Sequence, residues 1–239
     1  MLFFASCKKK SDSNNNNNNT GFKGCHITAI YDSSSIMGIN NTTSIIYKND
    51  GTPGTINTAG TANIARGIEY FGNTAVLHIA GDYVEIDTIN ISNGMISSLT
   101  AHYFTTPESH KVSNFTYDAN GQVASRIDNF GNGTADTFSY TWQNGDLLYE
   151  TSRVDSFIYT YDTSFAYQDG DWMKAYQVFT LGYGAVYIKT AHCVKSRRHN
   201  LNATQYFFYE KDVNNRIGTC HSYIGSSPET YNYIYTCVQ

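Results

Sequence analysis

Residues Ser113–Glu150 read SNFTYDANGQVASRIDNFGNGTADTFSYTWQNGDLLYE. Aromatic and aliphatic residues alternate with polar ones on either side of two Asn-Gly pairs, Asn120-Gly121 and Asn144-Gly145. Asn-Gly favours tight hairpin turns because the central positions need positive φ. A two-residue loop at Asn144-Gly145 sets Trp142 opposite Leu147, Tyr140 opposite Tyr149 and Phe138 opposite Thr151. Side chains alternate along a strand, so these six share one face, and Ser139, Thr141, Gln143, Asp146, Leu148 and Glu150 share the other. At Asn120-Gly121 a two-residue loop would set Tyr117 opposite Ala124 and Phe115 opposite Arg126. A three-residue loop with Gly121 left-handed sets Tyr117 opposite Val123 and Phe115 opposite Ser125. The second register is preferred because it gathers Phe115, Tyr117, Val123 and Ile127 on one face, a set that a one-residue slip would scatter. The stretch therefore predicts consecutive antiparallel strands with one buried, aromatic face.

The same grammar extends outward. Strands are expected over Cys25–Tyr31, Thr43–Lys48, Ala75–Ile79, Tyr83–Ile91 and Met95–Phe104, the last two joined at Asn93-Gly94. Beyond the central hairpins they are expected over Phe157–Tyr161, Ala175–Leu181, Ala185–Ala191, Thr204–Glu210, Arg216–Ile224 and Tyr231–Cys237. Two segments have helical alternatives. Ile64, Ile68 and Phe71 sit at helical spacing within Gly60–Phe71, and Trp172, Tyr176 and Phe179 would share one face of a short helix. Tyr (20) and Phe (13) outnumber what a helical domain would use, and turn signals recur too often for a parallel α/β fold. The fold class is all-β: an antiparallel meander of many short hairpin-connected strands, forming a strongly twisted single sheet, an open barrel or a sandwich.

Phe115-Thr116-Tyr117-Asp118-Ala119-Asn120-Gly121-Gln122-Val123 resembles the YD repeat, the Tyr-Asp-x-x-Gly-x-hydrophobic hairpin of Rhs-type bacterial surface and secreted proteins. It is also similar to the isolated YD-like hairpins of uncharacterised Gram-negative lipoproteins. Weaker copies occur at Ile46–Gly51, Tyr140–Gly145 and Phe208–Ile217. The resemblance implies a β-meander and no particular activity. Rhs repeats run in tandem and wrap into large shells, whereas these copies are scattered, so a cargo-enclosing shell is not expected.

At the amino terminus, Phe4-Ala5-Ser6-Cys7 resembles a bacterial lipobox, in which the cysteine is lipidated. Only six residues precede Cys7, fewer than a secretory signal needs, so the sequence is expected to begin inside that signal. Residues 8–21 hold three lysines, two serines and six consecutive asparagines, with nothing to bury, and read as a disordered tether. Residues 1–7 are thus taken as the end of the signal and 22–239 as a single all-β domain. Attachment is expected through the lipid, since no run approaches the roughly 18 apolar residues of a transmembrane helix. The remaining cysteines, Cys25, Cys193, Cys220 and Cys237, are even in number and suit an exported, disulfide-bonded chain. Cys25–Cys237 with Cys193–Cys220 is the favoured pairing, and Cys193–Cys237 the alternative.

Net charge of −4 argues against nucleic-acid binding, which needs a basic face. Lys195-Ser196-Arg197-Arg198 reads as a solvated loop. The Cys–His neighbours at 25–26, 192–193 and 220–221 lack CxxC spacing, and each offers one ligand per face, so no metal is expected. Asp128–Asp136 reads as a glycine-rich strand connection rather than a calcium loop, since Phe130 occupies a ligand position. No G-x-S-x-G, HExxH or carboxylate pairing points to catalysis, and no cofactor is implied. Trp142, Tyr140, Tyr149 and Trp172 are the candidates for stacking on sugar rings, with Tyr159 and Tyr161 behind them, set against a core role for the same side chains. The functional expectation is a non-enzymatic lipoprotein at the outer membrane, on its periplasmic or surface face, binding polysaccharide or an envelope protein or serving structurally. The alternatives are a surface glycan-binding protein with exposed aromatics, and an envelope enzyme whose site assembles from distant strands.

Overall fold

The computed structural model describes residues 24–34, 36–82, 84–92, 95–104, 109–180, 187–200 and 202–238. The expected lipidated Cys7, the tether and the Asn93-Gly94 turn lie outside them. Sixteen strands run in chain order: β1 Gly24–Ser34, β2 Ile39–Tyr47, β3 Pro53–Gly60, β4 Ile64–Phe71, β5 Thr74–Gly81, β6 Glu85–Ser92, β7 Met95–Tyr103, β8 Ser109–Tyr117, β9 Val123–Phe130, β10 Ala135–Gln143, β11 Asp146–Thr151, β12 Ser156–Ala166, β13 His192–His199, β14 Gln205–Lys211, β15 Ile217–Ile224 and β16 Ser227–Val238. Each pairs antiparallel with its sequence neighbours, and β1 pairs with β16, so the meander closes. The all-β meander expected from the sequence is present, but as a closed barrel rather than an open barrel or sandwich. Closure pairs the first strand with the last and leaves no exposed sheet edge.

Four hairpins share one turn. The backbone N–H of Lys48, Asp118, Phe130 and Asp212 donates to the carbonyl of Thr52, Gln122, Thr134 and Arg216, respectively, at 2.7–2.9 Å. The fourth residue of each, Gly51, Gly121, Gly133 or Asn215, has φ between +63° and +84°. This is the three-residue loop with a left-handed last position, as expected at Gly121. Tyr117 accordingly pairs with Val123. Beyond that point the register shifts, so Phe115 meets Arg126 rather than Ser125, and Ile127 turns to the outside. The Asn144-Gly145 hairpin behaves likewise. Trp142 pairs with Leu147 as expected, but a bulge then absorbs Leu148, setting Thr141 against Tyr149 and Tyr140 against Glu150. One extra residue flips every later side chain. Tyr149 and Thr151 therefore point outward and Glu150 inward, the reverse of the expectation.

Gly60–Phe71 is not helical: Ile64, Arg66, Ile68 and Tyr70 alternate inward along β4. A spacing of four fits a strand as well as a helix. Pro53–Gly60 is an unexpected strand, with Pro53 at its first position, where the missing N–H is tolerated. The strand expected over Ala175–Leu181 is replaced by a helix, α1 (Trp172–Ala175), running into a π-helical turn, Tyr176–Thr180, and Tyr187–Ala191 is irregular. This connection between β12 and β13 enters the barrel as a plug. Trp172, Met173, Gln177, Phe179 and Ile188 are buried within it.

The two ends of the barrel differ. At the end carrying the plug's root and both ends of the described chain, Tyr47, Tyr117, Tyr161, Tyr209 and Tyr235 donate their hydroxyls to the carbonyls of Ile27, Ile96, Leu147, Val194 and Ile217. Trp142 Nε1 donates to the Val123 carbonyl, and all six contacts span 2.7–2.9 Å. In every case an aromatic on an even strand reaches an inward aliphatic of the odd strand before it. Those aliphatics are all buried. The result is a belt of satisfied aromatic donors over a ring of packed aliphatics. Cys25 and Cys237, paired across β1 and β16, form a disulfide at this rim. The favoured Cys193–Cys220 bond is absent: both are buried free thiols, on β13 and β15, with β14 between them. Strands two apart are about 10 Å from one another, beyond disulfide reach. Cys193–Cys237 is excluded because Cys237 is already bonded to Cys25.

Candidate ligand-binding cavity

Toward the other end, charged residues join the aromatics at the inward positions: Asp32, Arg66, Glu85, Asp87, Lys111, Arg126, Asp128, Glu150, Arg197 and Glu229. The plug forms the floor beneath them. Its root is held by Asp171, whose fully buried carboxylate accepts from the Val194 N–H (2.9 Å) and the Lys174 N–H (3.1 Å) and lies 3.2 Å from the Tyr209 hydroxyl. Burial pushes the Asp171 carboxyl up to about 6 against the pull of those donors. Lys174 pairs with Asp169, and the Tyr235 hydroxyl lies 3.1 Å from the Asp169 carbonyl. Gln177 ties the two arms together. Its Nε2 donates to the Met173 and Ile188 carbonyls, and its Oε1 accepts from the Tyr187 and Ile188 N–H groups, at 2.9–3.2 Å. All four bonding positions of the buried amide are used.

Two of the cavities that flank the plug share Trp172 and Tyr176 in their lining. The larger, about 330 Å³, is bounded by β1–β4, β14 and β16. Asp32 and Glu229 face each other in it, with Asn41 donating to Asp32 from 3.5 Å and Arg66 entering from β4. Burial and the neighbouring Glu229 charge push Asp32 up to about 7. The smaller cavity, about 230 Å³, is lined by Lys111, Arg126 and Arg197, with Glu150 as its acid. Glu150 accepts from the hydroxyls of Tyr140 (3.3 Å) and Tyr159 (3.2 Å) and lies 3.6 Å from Arg126. Arg126 also pairs with Asp128 at 3.1 Å and stacks over Phe138, 3.8 Å from its centroid. Arg197 stacks over Phe157 and Trp172, at 4.4 and 5.2 Å. One chamber is thus biased to acid and the other to base, with an aromatic pair between them.

The candidate residues scatter. Trp142 is spent in the belt, Tyr140 is buried on Glu150, and Tyr149 stands on the outer wall. Tyr161 belongs to the belt, and Tyr159, buried, borders the smaller cavity. Trp172 reaches both cavities, and Tyr176, Phe207 and Arg197 stack against it. Lys195–Arg198 is not a solvated loop but part of β13, which turns Arg197 inward and Arg198 outward. Sequence reading missed the charged lining, although strict alternation from Ile30 and from Tyr231 would have placed Asp32 and Glu229 on the inner face.

No family model and no curated protein matches the sequence. Solved structures share the fold. A porin-like protein from Bacteroides uniformis ATCC 8492 is 12% identical, over 88% of this chain and 96% of that one, with a TM-score of 0.64. A porin-like protein from Bacteroides vulgatus ATCC 8482 is 15% identical, over 89% and 99%, with a TM-score of 0.60. At these identities the likeness is one of architecture.

Proposed function

We propose that this is a non-enzymatic envelope protein whose barrel stands in water and binds a small ligand in the cavities above the plug. The observation that carries the reading is the polarity of the wall. A membrane-spanning barrel shows an apolar outer band and a polar interior. Here much of the outer wall is polar instead. Phe138, Tyr140 and Trp142 point inward from β10, while Thr137, Ser139, Thr141 and Gln143 face out. Asn40, Thr42 and Ser44 on β2 and Thr230, Asn232 and Thr236 on β16 repeat the pattern. Glu69 and Arg198 also face outward, and an arginine at a bilayer midplane costs about 2–4 kcal/mol. The plug, moreover, occupies the space that 16-stranded porins leave as an aqueous channel. Membrane attachment in this reading comes from the expected lipid on Cys7, with the asparagine tract as tether.

The protein should therefore stay soluble without detergent and add no conductance to a planar bilayer. A thermal-shift screen of small polar and amphipathic molecules should find ligands that stabilise it. Ala62→Trp, on the rim loop that lines the larger cavity, should abolish that stabilisation while leaving the unliganded Tm near wild type. Stepwise bilayer conductance, or unchanged binding in Ala62→Trp, would count against the reading.

A second reading has its own observation. Tyr206, Phe208 and Tyr223 are exposed on the outer face of β14 and β15, with the Phe208 and Tyr223 rings 5.6 Å apart. This patch would carry the polysaccharide alternative, and Phe208→Ala and Tyr223→Ala would then remove glycan binding without touching the interior.

A further inference from the structure

We infer that the smaller cavity receives the anionic group of a compact organic acid, a carboxylate or phosphate ester, held by Arg197 and Lys111. The inference rests on the cavity-binding reading above and adds the chemistry of the ligand. Its basis is a charge imbalance. Of the three cations lining the chamber, Arg126 is answered by Asp128 at 3.1 Å and Glu150 at 3.6 Å. Glu150 is in turn occupied by the Tyr140 and Tyr159 hydroxyls. Arg197 and Lys111 have no carboxylate within ion-pair distance among the described residues.

Arg197 is held flat by Phe157 and Trp172, and its buried Nε has no hydrogen-bond partner. Its donors are therefore fixed in direction and unspent. A buried guanidinium N–H left so costs free energy unless an acceptor arrives. Its planar fork suits a carboxylate or phosphate bidentately. Lys111 enters from β8 on the same chamber. Asp87 lies two strands away on β6, with β7 between them. Two cations from separate strands therefore share one chamber with its single acid already engaged. Tyr176 and Trp172 border the space and offer an apolar surface for the rest of the ligand.

The test titrates the purified protein at constant ionic strength with benzoate, phenyl phosphate and benzyl alcohol, which share a ring and differ in the charged group. The thermal midpoint is the readout. At least one of the two anions should raise it saturably, and benzyl alcohol should not. Arg197→Met should weaken the effect about tenfold or more, as loss of a charge-assisted pair does. Lys111→Met gives a second, independent variant should Arg197→Met fold poorly. A response to benzoate alone or to phenyl phosphate alone supports the inference and chooses the group. No response to either anion overturns it, as does an anion response unchanged in both variants. If benzyl alcohol stabilises as well as the anions and Ala62→Trp abolishes that, the anion assignment falls while the cavity-binding reading stands.

Discussion

Asp171 is the residue on which the plug turns. Two backbone donors converge on its buried carboxylate, the N–H groups of Val194 and Lys174, and the Tyr209 hydroxyl, which donates to the Val194 carbonyl, lies 3.2 Å away. Val194 and Tyr209 belong to β13 and β14, so this side chain docks the plug's root to the barrel wall. Asp171→Ala would strand those donors in a dry site. Each unsatisfied buried donor costs about 1–3 kcal/mol, so a loss of about 3 kcal/mol or more is expected in urea melts. Asp171→Asn keeps one of the two accepting oxygens and should lose less. Equal losses for the two variants would show that the carboxylate's bonds are not what holds the plug. Nothing in the sequence around Asp171 announces this role, because its partners on the barrel wall lie 23 and 38 positions away.

The elements show which parts of a meander can be read from one chain. The three-residue turn at Gly121 and the pairing of Trp142 with Leu147 followed from local turn chemistry. What failed was register beyond the first pair. The bulges absorbing Ala124 and Leu148 answer to distant needs, namely bringing Arg126 and Glu150 inward to meet. The plug was legible only as an alternative spacing of Trp172, Tyr176 and Phe179, since its helix is short and depends on the barrel around it. Glycines separate local from tertiary demand. Gly121 has φ +76°, and a Cβ added there would meet only Met95 Sδ, at 3.8 Å, so Gly121→Ala should cost about 1 kcal/mol from backbone strain alone. Gly81 has φ +129°, and a Cβ there would fall 2.0 Å from the Asn63 carbonyl oxygen. Gly81→Ala must push β4 from β5 and should cost about 3 kcal/mol or more. A comparison of denaturation midpoints decides it, and similar losses at both sites would contradict the account. In the belt, Tyr117→Phe and Tyr161→Phe each remove one donor to a buried carbonyl, and each should cost about 1 kcal/mol.

For the whole molecule, closure and interior charge set the stability. The Cys25–Cys237 disulfide links residues 212 apart, a separation worth about 5 kcal/mol in the chain-entropy model. Reduction should therefore lower Tm without opening the barrel, because β1 and β16 still pair. The interior carboxyls make a further, less usual demand. Burial, with the Glu229 charge, raises Asp32 to about 7. Burial, with Glu85 beside it and Lys111 opposing, raises Asp87 to about 8. Burial raises Asp171 to about 6, and it raises Glu150 as well. A carboxyl whose folded pKa exceeds its unfolded value, about 4, binds its proton more tightly in the folded state. Its stabilising contribution is complete below about 4 and is lost as pH rises through the folded value. Two weaker influences act the other way. Asp50, Asp162 and Asp212 sit near the surface with lowered pKa values, so their contribution disappears only below about 4. His26, lowered by burial, favours the folded state as pH rises through its titration. The balance of four raised carboxyls predicts that Tm falls steadily from about pH 5 to about pH 8.5. Asp32→Asn, which cannot ionise, should flatten the part of that slope around neutrality. Melts at constant ionic strength across the range measure both. A Tm that is level or climbs toward the alkaline end would mean that these carboxyls are ionised at little cost, and that the chambers are wetter than their walls suggest.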